Sequence, residues 1–286
     1  MDSHGVAFTK MQGTGNDFIV FDNRAYGFTE TELSICAAAW CPRRFGVGGD
    51  GLLALDDPET TAAAYRMHYV NADGSRATMC GNGARCLFRF ARASGFEDEM
   101  LAFDTDAGLY WATRVHNGHD QVRLFVPQVT DLRADFDLDR HIPDAIKALH
   151  FVEAGTEHLV ALVEDVQAVP VPEWGERLRS DPAVMPTGAN VNFVEVDAAE
   201  AVRLRTYEKG VEGETLSCGT GVLATAAIVN RMAQTRTDEA VRVETPGGKL
   251  LVGTARTGRG HEHYLEGPAK KVFRGRVSRP GELQEH

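Results

Sequence analysis

The chain has 286 residues, of which 43% are apolar and 25% charged, and its formal net charge is −11. An acidic balance with no basic run excludes non-specific nucleic-acid binding, and no apolar run approaches the roughly 18 residues of a membrane span. Five cysteines in so long a chain argue against a disulfide framework. The length suits two domains of about 140 residues each. The opening MDSHGVAF has no basic segment before an apolar one, so no secretory leader and a cytoplasmic location are expected.

Taken in order, the first elements are short strands. FTKMQ, DFIVFDN, DGLLALD and YRMHYVN are rich in aromatic and branched residues and are bounded by Gly, Asn or Asp. Between the second and third, Thr29 and Glu32 have capping-box spacing before LSICAAAW, a helix that Pro42 would stop. A second helix, NGARCLFRFARASG, follows Cys80 and ends at Gly95. The later chain offers the strands HLVALVE, NVNFVEV, VRLRTYE and VRVET. After Cys218 comes TGVLATAAIVNRMAQ, apolar on nearly every face and therefore a helix to be buried inside strands.

These elements repeat. Cys80 and Cys218, each followed by Gly-x-Gly and a helix, are 138 residues apart. GNDFIV faces GTEHLV at an offset of 140, GDGLLAL faces NVNFVEV at 141, and YRMHYVN faces VRLRTYE at 137. DTDAG faces ETPGG at 140, and Pro127 faces Pro268 at 141. Six ordered matches with so little drift point to two related halves, 1–128 and 129–271, with 272–286 joining the first. Each half is expected to be α+β, a strand-rich unit wrapped around the helix that begins at its cysteine.

A cysteine at a helix start lies among amide N–H groups that have no intrahelical partner. Their partial charge favours a thiolate and can also hold a carboxylate. Two such units facing one carbon would suit inversion beside a carboxylate, one thiolate removing the α-proton and the other thiol returning one on the opposite face. The other cysteines fit core positions. Cys36 shares a helix face with Leu33 and Trp40, and Cys86 lies on the second helix. Cys36 and Cys41 have no further ligands nearby to make a metal pair. GTGND resembles a dinucleotide loop, but no G-x-G-x-x-G opening a helix follows.

KMQGTGNDF, FGVGGDGLL, VNADGSRATMCGNGARC, GTEHLVALVEDV, TYEKGVEGETLSCGTG and TPGG together resemble the diaminopimelate epimerase family over nearly the whole length. The resemblance implies an isomerase that needs no cofactor and no metal, acting on a small molecule in lysine and peptidoglycan precursor synthesis, and a homodimer. It implies two pseudo-symmetric domains, each a β-barrel-like sheet around a central helix, with Cys80 and Cys218 as the acid/base pair in the cleft between them. Substrate contacts would come from Asn16, Asn71, Asn190, Glu208 and the backbone of Gly81–Asn82 and Gly219–Thr220, with Thr156 and Lys209 at further substrate positions. His158 would support the site. Three positions depart from the family pattern: Lys209 replaces an Arg, Gly51 replaces a Gln found in some members, and GTEH replaces a motif with Pro before the His. A lysine is a point charge where Arg forms a fork, so the departures bear on substrate. Two other readings are a racemase of the same fold acting on proline or hydroxyproline, and a non-catalytic thiol redox or metal-binding protein.

Overall fold

A computed structural model describes residues 5–116, 118–197, 201–232 and 240–281. The chain forms two compact units, one from the chain up to Leu124 together with the chain from Gly267 on, the other Phe125–Glu266. These junctions lie four or five residues before 128/129 and 271/272, because the strand Gln121–Val126 runs through the first of them.

In the first unit, β1 (Val6–Gly13) and β2 (Asn16–Asp22) form a hairpin. Its two-residue turn, Thr14 at φ 50° and Gly15 at φ 84°, has the left-handed pair of a type I′ turn. GTGN is thus a β-turn rather than a phosphate loop. Helix α1 (Glu30–Trp40) starts with both bonds of the Thr29–Glu32 capping box. Strand β3 (Gly51–Asp56) runs parallel to β2, and β4 (Tyr65–Asn71) antiparallel to β3. After α2 (Gly81–Ala93), β5 (Met100–Thr105) pairs parallel with β4 and β6 (Gly108–Arg114) antiparallel with β5. β7 (Gln121–Val126) closes this stretch.

The second unit repeats the pattern. β8 (Asp131–Arg133) and β9 (Ile146–Glu153) lead to β10 (Glu157–Val163), followed by α3 (Val171–Arg179). β11 (Asn190–Val196) lies parallel to β10, and β12 (Val202–Glu208) antiparallel to β11. A short β13 (Gly213–Thr215) precedes α4 (Gly219–Met232); the last two residues of the helix expected after Cys218 lie outside the described residues. β14 (Val241–Thr245) pairs parallel with β12, and β15 (Gly248–Thr257) and β16 (Gly260–Pro268) extend antiparallel. β17 (Lys270–Val277) then belongs to the first unit, antiparallel to β1.

Each sheet buries both faces. Ile19, Phe21, Leu52 and Ala54 pack with Leu33, Cys36 and Trp40 of α1. Leu159, Ala161, Val191 and Phe193 pack with Leu178 of α3, while the alternate residues Val160 and Val194 pack with Val222, Ala226 and Ile228 of α4. Strands covered on both sides carry near-continuous apolar runs, which is why they were visible in the sequence.

The ladders correct one repeat offset. Leu52 faces Val70 and Val191 faces Tyr207. With β4 and β12 matched at 137, Leu52 corresponds to Val191, and Gly51, not Gly49, corresponds to Asn190, an offset of 139. The parallel pairs Phe18–Gly51 and His158–Asn190 agree, placing β2 and β10 at 140. α3 was not read from the sequence. It occupies the place of α1, between the first and second strands of the parallel pair.

Candidate active site

In the first unit the cysteine is the N-cap of α2. Cys80 has extended backbone angles, φ −142° and ψ 118°, and its sulfur accepts from the Gly83 N–H at 3.4 Å. The hairpin turn sets Asn16, the first residue of β2, beside it: the Cys80 thiol donates to Asn16 Oδ1 at 3.7 Å, and Asn82 Nδ2 donates to the same oxygen at 3.4 Å. Asn16 is oriented by its other end, where Nδ2 donates to Asp50 Oδ2 at 2.7 Å.

Behind Asp50 lies an ion network. Arg43 donates to Asp50 and Asp17 at 2.6 Å each, and Lys10 pairs with Asp17 at 2.7 Å and donates to Gly48 O. Burial raises the Asp17 carboxyl, but Arg43 and Lys10 outweigh it and hold the group down at about 2. Below the helix start, Arg85 is fully buried. Its guanidinium donates to Asn82 Oδ1 at 2.7 Å, Thr14 Oγ1 at 3.4 Å and Gly81 O at 3.4 Å. Burial pushes this cation down to about 10. Sequence reasoning missed Arg85, Asp50 and Thr14. An Arg inside the apolar stretch ARCLF was the available signal for the first.

Asn71 ends β4. Its Nδ2 donates to Ser75 Oγ at 3.0 Å and its N–H to Ser75 O at 2.8 Å, so it anchors the turn before Cys80.

In the second unit Cys218 precedes α4 and is only 6% exposed. Its sulfur lies 3.4 Å from Thr220 Oγ1, and its carbonyl accepts from Val222 N–H at 3.0 Å as the first turn of the helix. Gly221 must be glycine here, since a Cβ would sit 2.3 Å from Asn192 Oδ1. Asn192 belongs to a buried polar cluster under the helix. It accepts from Thr206 Oγ1 at 3.0 Å, donates to Leu159 O at 3.0 Å, and lies 3.1 Å from His158 Nδ1. His158 is fully buried, its Nε2 has no hydrogen-bond partner among the described residues, and burial pushes its pKa down to about 3, so the ring is neutral. The repeat-equivalent residues in the first unit are Phe18, Leu53 and Tyr69. Phe18 and Tyr69 meet edge to face at 6.1 Å, and Leu53 lies under Gly83. One cysteine helix therefore rests on an apolar layer and the other on a hydrogen-bonded one.

The remaining expected residues gather at the ends of β10 and β12. Asn190 accepts from the Lys209 N–H at 2.8 Å and donates to Glu157 O at 3.3 Å. Lys209 Nζ donates to Glu157 Oε2 at 2.8 Å and to Gly188 O at 3.4 Å. Thr156 Oγ1 donates to Glu157 Oε2 at 3.1 Å, and Glu208 Oε2 accepts from Thr215 Oγ1 at 2.8 Å. Glu157, unassigned from the sequence, is thus the hub of this group. Among the described residues no cluster of three metal-binding side chains occurs, and no helix is long and apolar enough to cross a membrane.

The family model for diaminopimelate epimerase matches residues 8–127 and 150–272. The chain belongs to the diaminopimelate epimerase family. The diaminopimelate epimerase of Chlorobaculum tepidum is 39% identical, covering 94% of this chain and all of that protein. The diaminopimelate epimerase of Methanocella arvoryzae is 38% identical over 95% of this chain and 96% of its own. Members of this family are isomerases, and this chain is one. Two solved structures share its fold. A phenazine biosynthesis protein of the PhzF family from Bacillus anthracis has a TM-score of 0.73 at 16% identity, covering 95% of this chain and 98% of that one. A probable proline racemase from Agrobacterium radiobacter has a TM-score of 0.65 at 17% identity, covering 96% and 93%.

Proposed function

We propose that the protein interconverts LL- and meso-diaminopimelate with Cys80 and Cys218 as the acid/base pair, and so serves lysine and peptidoglycan precursor synthesis. The observation that carries this reading is the duplication, in a diaminopimelate epimerase relative, of a cysteine set at the start of a helix behind Gly-x-Gly.

In one direction the thiolate takes the α-proton as the C–H bond breaks. The electron pair moves toward the α-carboxylate, and the opposed thiol delivers a proton to the other face. One cysteine ends protonated and the other ionised, so the reverse reaction begins from the exchanged states. The α-carbon is a weak acid, and the carboxylate that gains charge needs fixed donors. The amides of Gly81–Asn82 and Gly219–Thr220, at helix starts, suit that role without reorganisation.

Asn16 holds the Cys80 thiol by its carbonyl oxygen, Asn82 is braced by Arg85, and Asn71 shapes the preceding turn. On the other unit Asn190, Glu208, Lys209 and Thr156 would receive substrate, with neutral His158 supporting the strand beneath. The polar group at Lys209 suits a substrate with a charged far end better than proline or hydroxyproline. The test is a pair of single substitutions, Cys80→Ser and Cys218→Ser. Each should nearly abolish epimerisation of diaminopimelate with the thermal unfolding midpoint retained, and full activity in either would overturn the two-thiol reading.

A further inference from the structure

From the ion pair at the ends of β10 and β12, we infer that Glu157 is a specificity-determining residue that binds the ammonium of the substrate's far, unreacting end while Lys209 binds the carboxylate of that end. This rests on the diaminopimelate reading and extends it to a residue outside that site description.

The pair is built to be reached. The side chains of Lys209 and Glu157 are 24% and 27% exposed, so the pair is neither sealed in the core nor fully solvated. Its geometry is fixed from both strands, since Asn190 bonds the Lys209 N–H on one side and the Glu157 carbonyl on the other. Thr156 adds a bond to the same carboxylate oxygen that Lys209 uses. Burial alone would raise the Glu157 carboxyl, yet Lys209 and the hydroxyl and backbone bonds outweigh it and hold it down at about 2. The carboxylate is therefore charged at any pH where the enzyme would work.

An ammonium already satisfied by a carboxylate is a poor reader of a far carboxylate alone, because a bare anion approaching Lys209 also approaches Glu157. A far end that carries both charges meets no such conflict. Its carboxylate can take Lys209 and its ammonium can take Glu157, giving a ring of four charges in which each has opposite neighbours. Diaminopimelate has such an end. The arrangement also favours partial burial, since like-charge contacts in a poorly solvated site are costly and alternating ones are not.

The experiment compares three substrates by kcat/KM for solvent-proton exchange at the α-carbon. Diaminopimelate carries both far charges, 2-aminopimelate lacks the far ammonium, and lysine lacks the far carboxylate. The wild type should prefer diaminopimelate to both. Glu157→Gln should lower kcat/KM for diaminopimelate 10- to 100-fold, chiefly through KM, and leave 2-aminopimelate unchanged or improved, so that the ratio between them collapses at least tenfold. Glu157→Asp should restore part of the ratio, and the unfolding midpoint of each variant checks that it is folded. An equal loss on both substrates, or no loss on either, would overturn the assignment of Glu157. A wild type that exchanges neither would instead overturn the activity on which the inference stands.

Discussion

Asn16 is turned by Asp50. The amide Nδ2 donates to the Asp50 carboxylate at 2.7 Å, which leaves Oδ1 as the end that meets the Cys80 thiol. An amide whose two ends are similar in shape is held in one orientation only by such a partner. Asp50→Ala should let Asn16 rotate and lower kcat/KM roughly 10- to 100-fold, the range for losing a hydrogen bond to a charged group. Steady-state kinetics on folded protein measures it, and unchanged activity would remove Asp50 from the positioning of Asn16.

The two cysteine helices differ in how closely they sit on their sheets. A Cβ at Gly221 would lie 2.3 Å from Asn192 Oδ1, whereas one at Gly83 would lie 3.1 Å from Leu53 Cδ2, the end of a flexible side chain. Gly221→Ala should therefore destabilise by about 2–3 kcal/mol or more and Gly83→Ala by less, following the cost of overpacking. Chemical denaturation of the two variants gives the comparison directly. Equal losses would mean that the polar layer under α4 yields as readily as the leucine does.

The same layer makes an acid-sensitive point. His158 titrates near 6.5 when unfolded and is pushed down to about 3 by burial in the fold. Between those values the unfolded chain binds the extra proton, so stability is intact above pH 6.5 and falls as pH drops toward 3. The slope for one such group approaches ~1.4 kcal/mol per pH unit. Between pH 7 and 5 the wild type should lose about 2 kcal/mol that His158→Gln does not lose. Glu157, held down at about 2, adds loss in the same direction only at lower pH. Urea unfolding at pH 7 and pH 5 separates wild type from variant, and parallel losses would place the sensitivity elsewhere, with His68 and His150 the other histidines lowered by burial.

Much of this was legible in the sequence. The Thr29–Glu32 cap, the four strands read in each half and the cysteine helices depend on local chemistry, and the structure has them where the residues put them, while the remaining strands were not read. The two-residue error in matching β3 to β11 has a physical origin: side chains alternate with period 2, so a slip of two keeps every residue on its face, and only the hydrogen-bonded ladder tells the registers apart. α3 was hidden by the features that make it fit. It opens with Pro172 in its first turn and carries Gly175, where a Cβ would lie 2.3 Å from Tyr207 Cβ, and both residues weaken the sequence signal of a helix. Arg85, Asp50 and Glu157 were missed because their importance comes from long-range neighbours that no spacing reveals.

On the proposed function, Lys209 holds the carboxylate at the far end of the substrate. Lys209→Ala removes the ammonium and leaves the Glu157 carboxylate without its 2.8 Å partner. It should cost roughly 2–4 kcal/mol in kcat/KM for diaminopimelate, the scale for truncating one member of a hydrogen-bonded charge pair. Lys209→Arg should be tolerated or beneficial, since a guanidinium can serve carboxylate and Glu157 together. A silent Lys209→Ala, with a monocarboxylate amino acid turned over faster than diaminopimelate, would withdraw the substrate while leaving the racemase chemistry in place.

The central claim is that two thiols exchange an α-proton with solvent on diaminopimelate. It is tested most directly by incubating LL-diaminopimelate with the purified protein in D₂O and following the α-carbon by mass spectrometry and NMR. The account predicts that wild type forms meso-diaminopimelate carrying solvent deuterium at the inverted carbon, and that Cys80→Ser and Cys218→Ser each stop its formation. Meso product formed without deuterium, or formed at the wild-type rate by either serine variant, would contradict it.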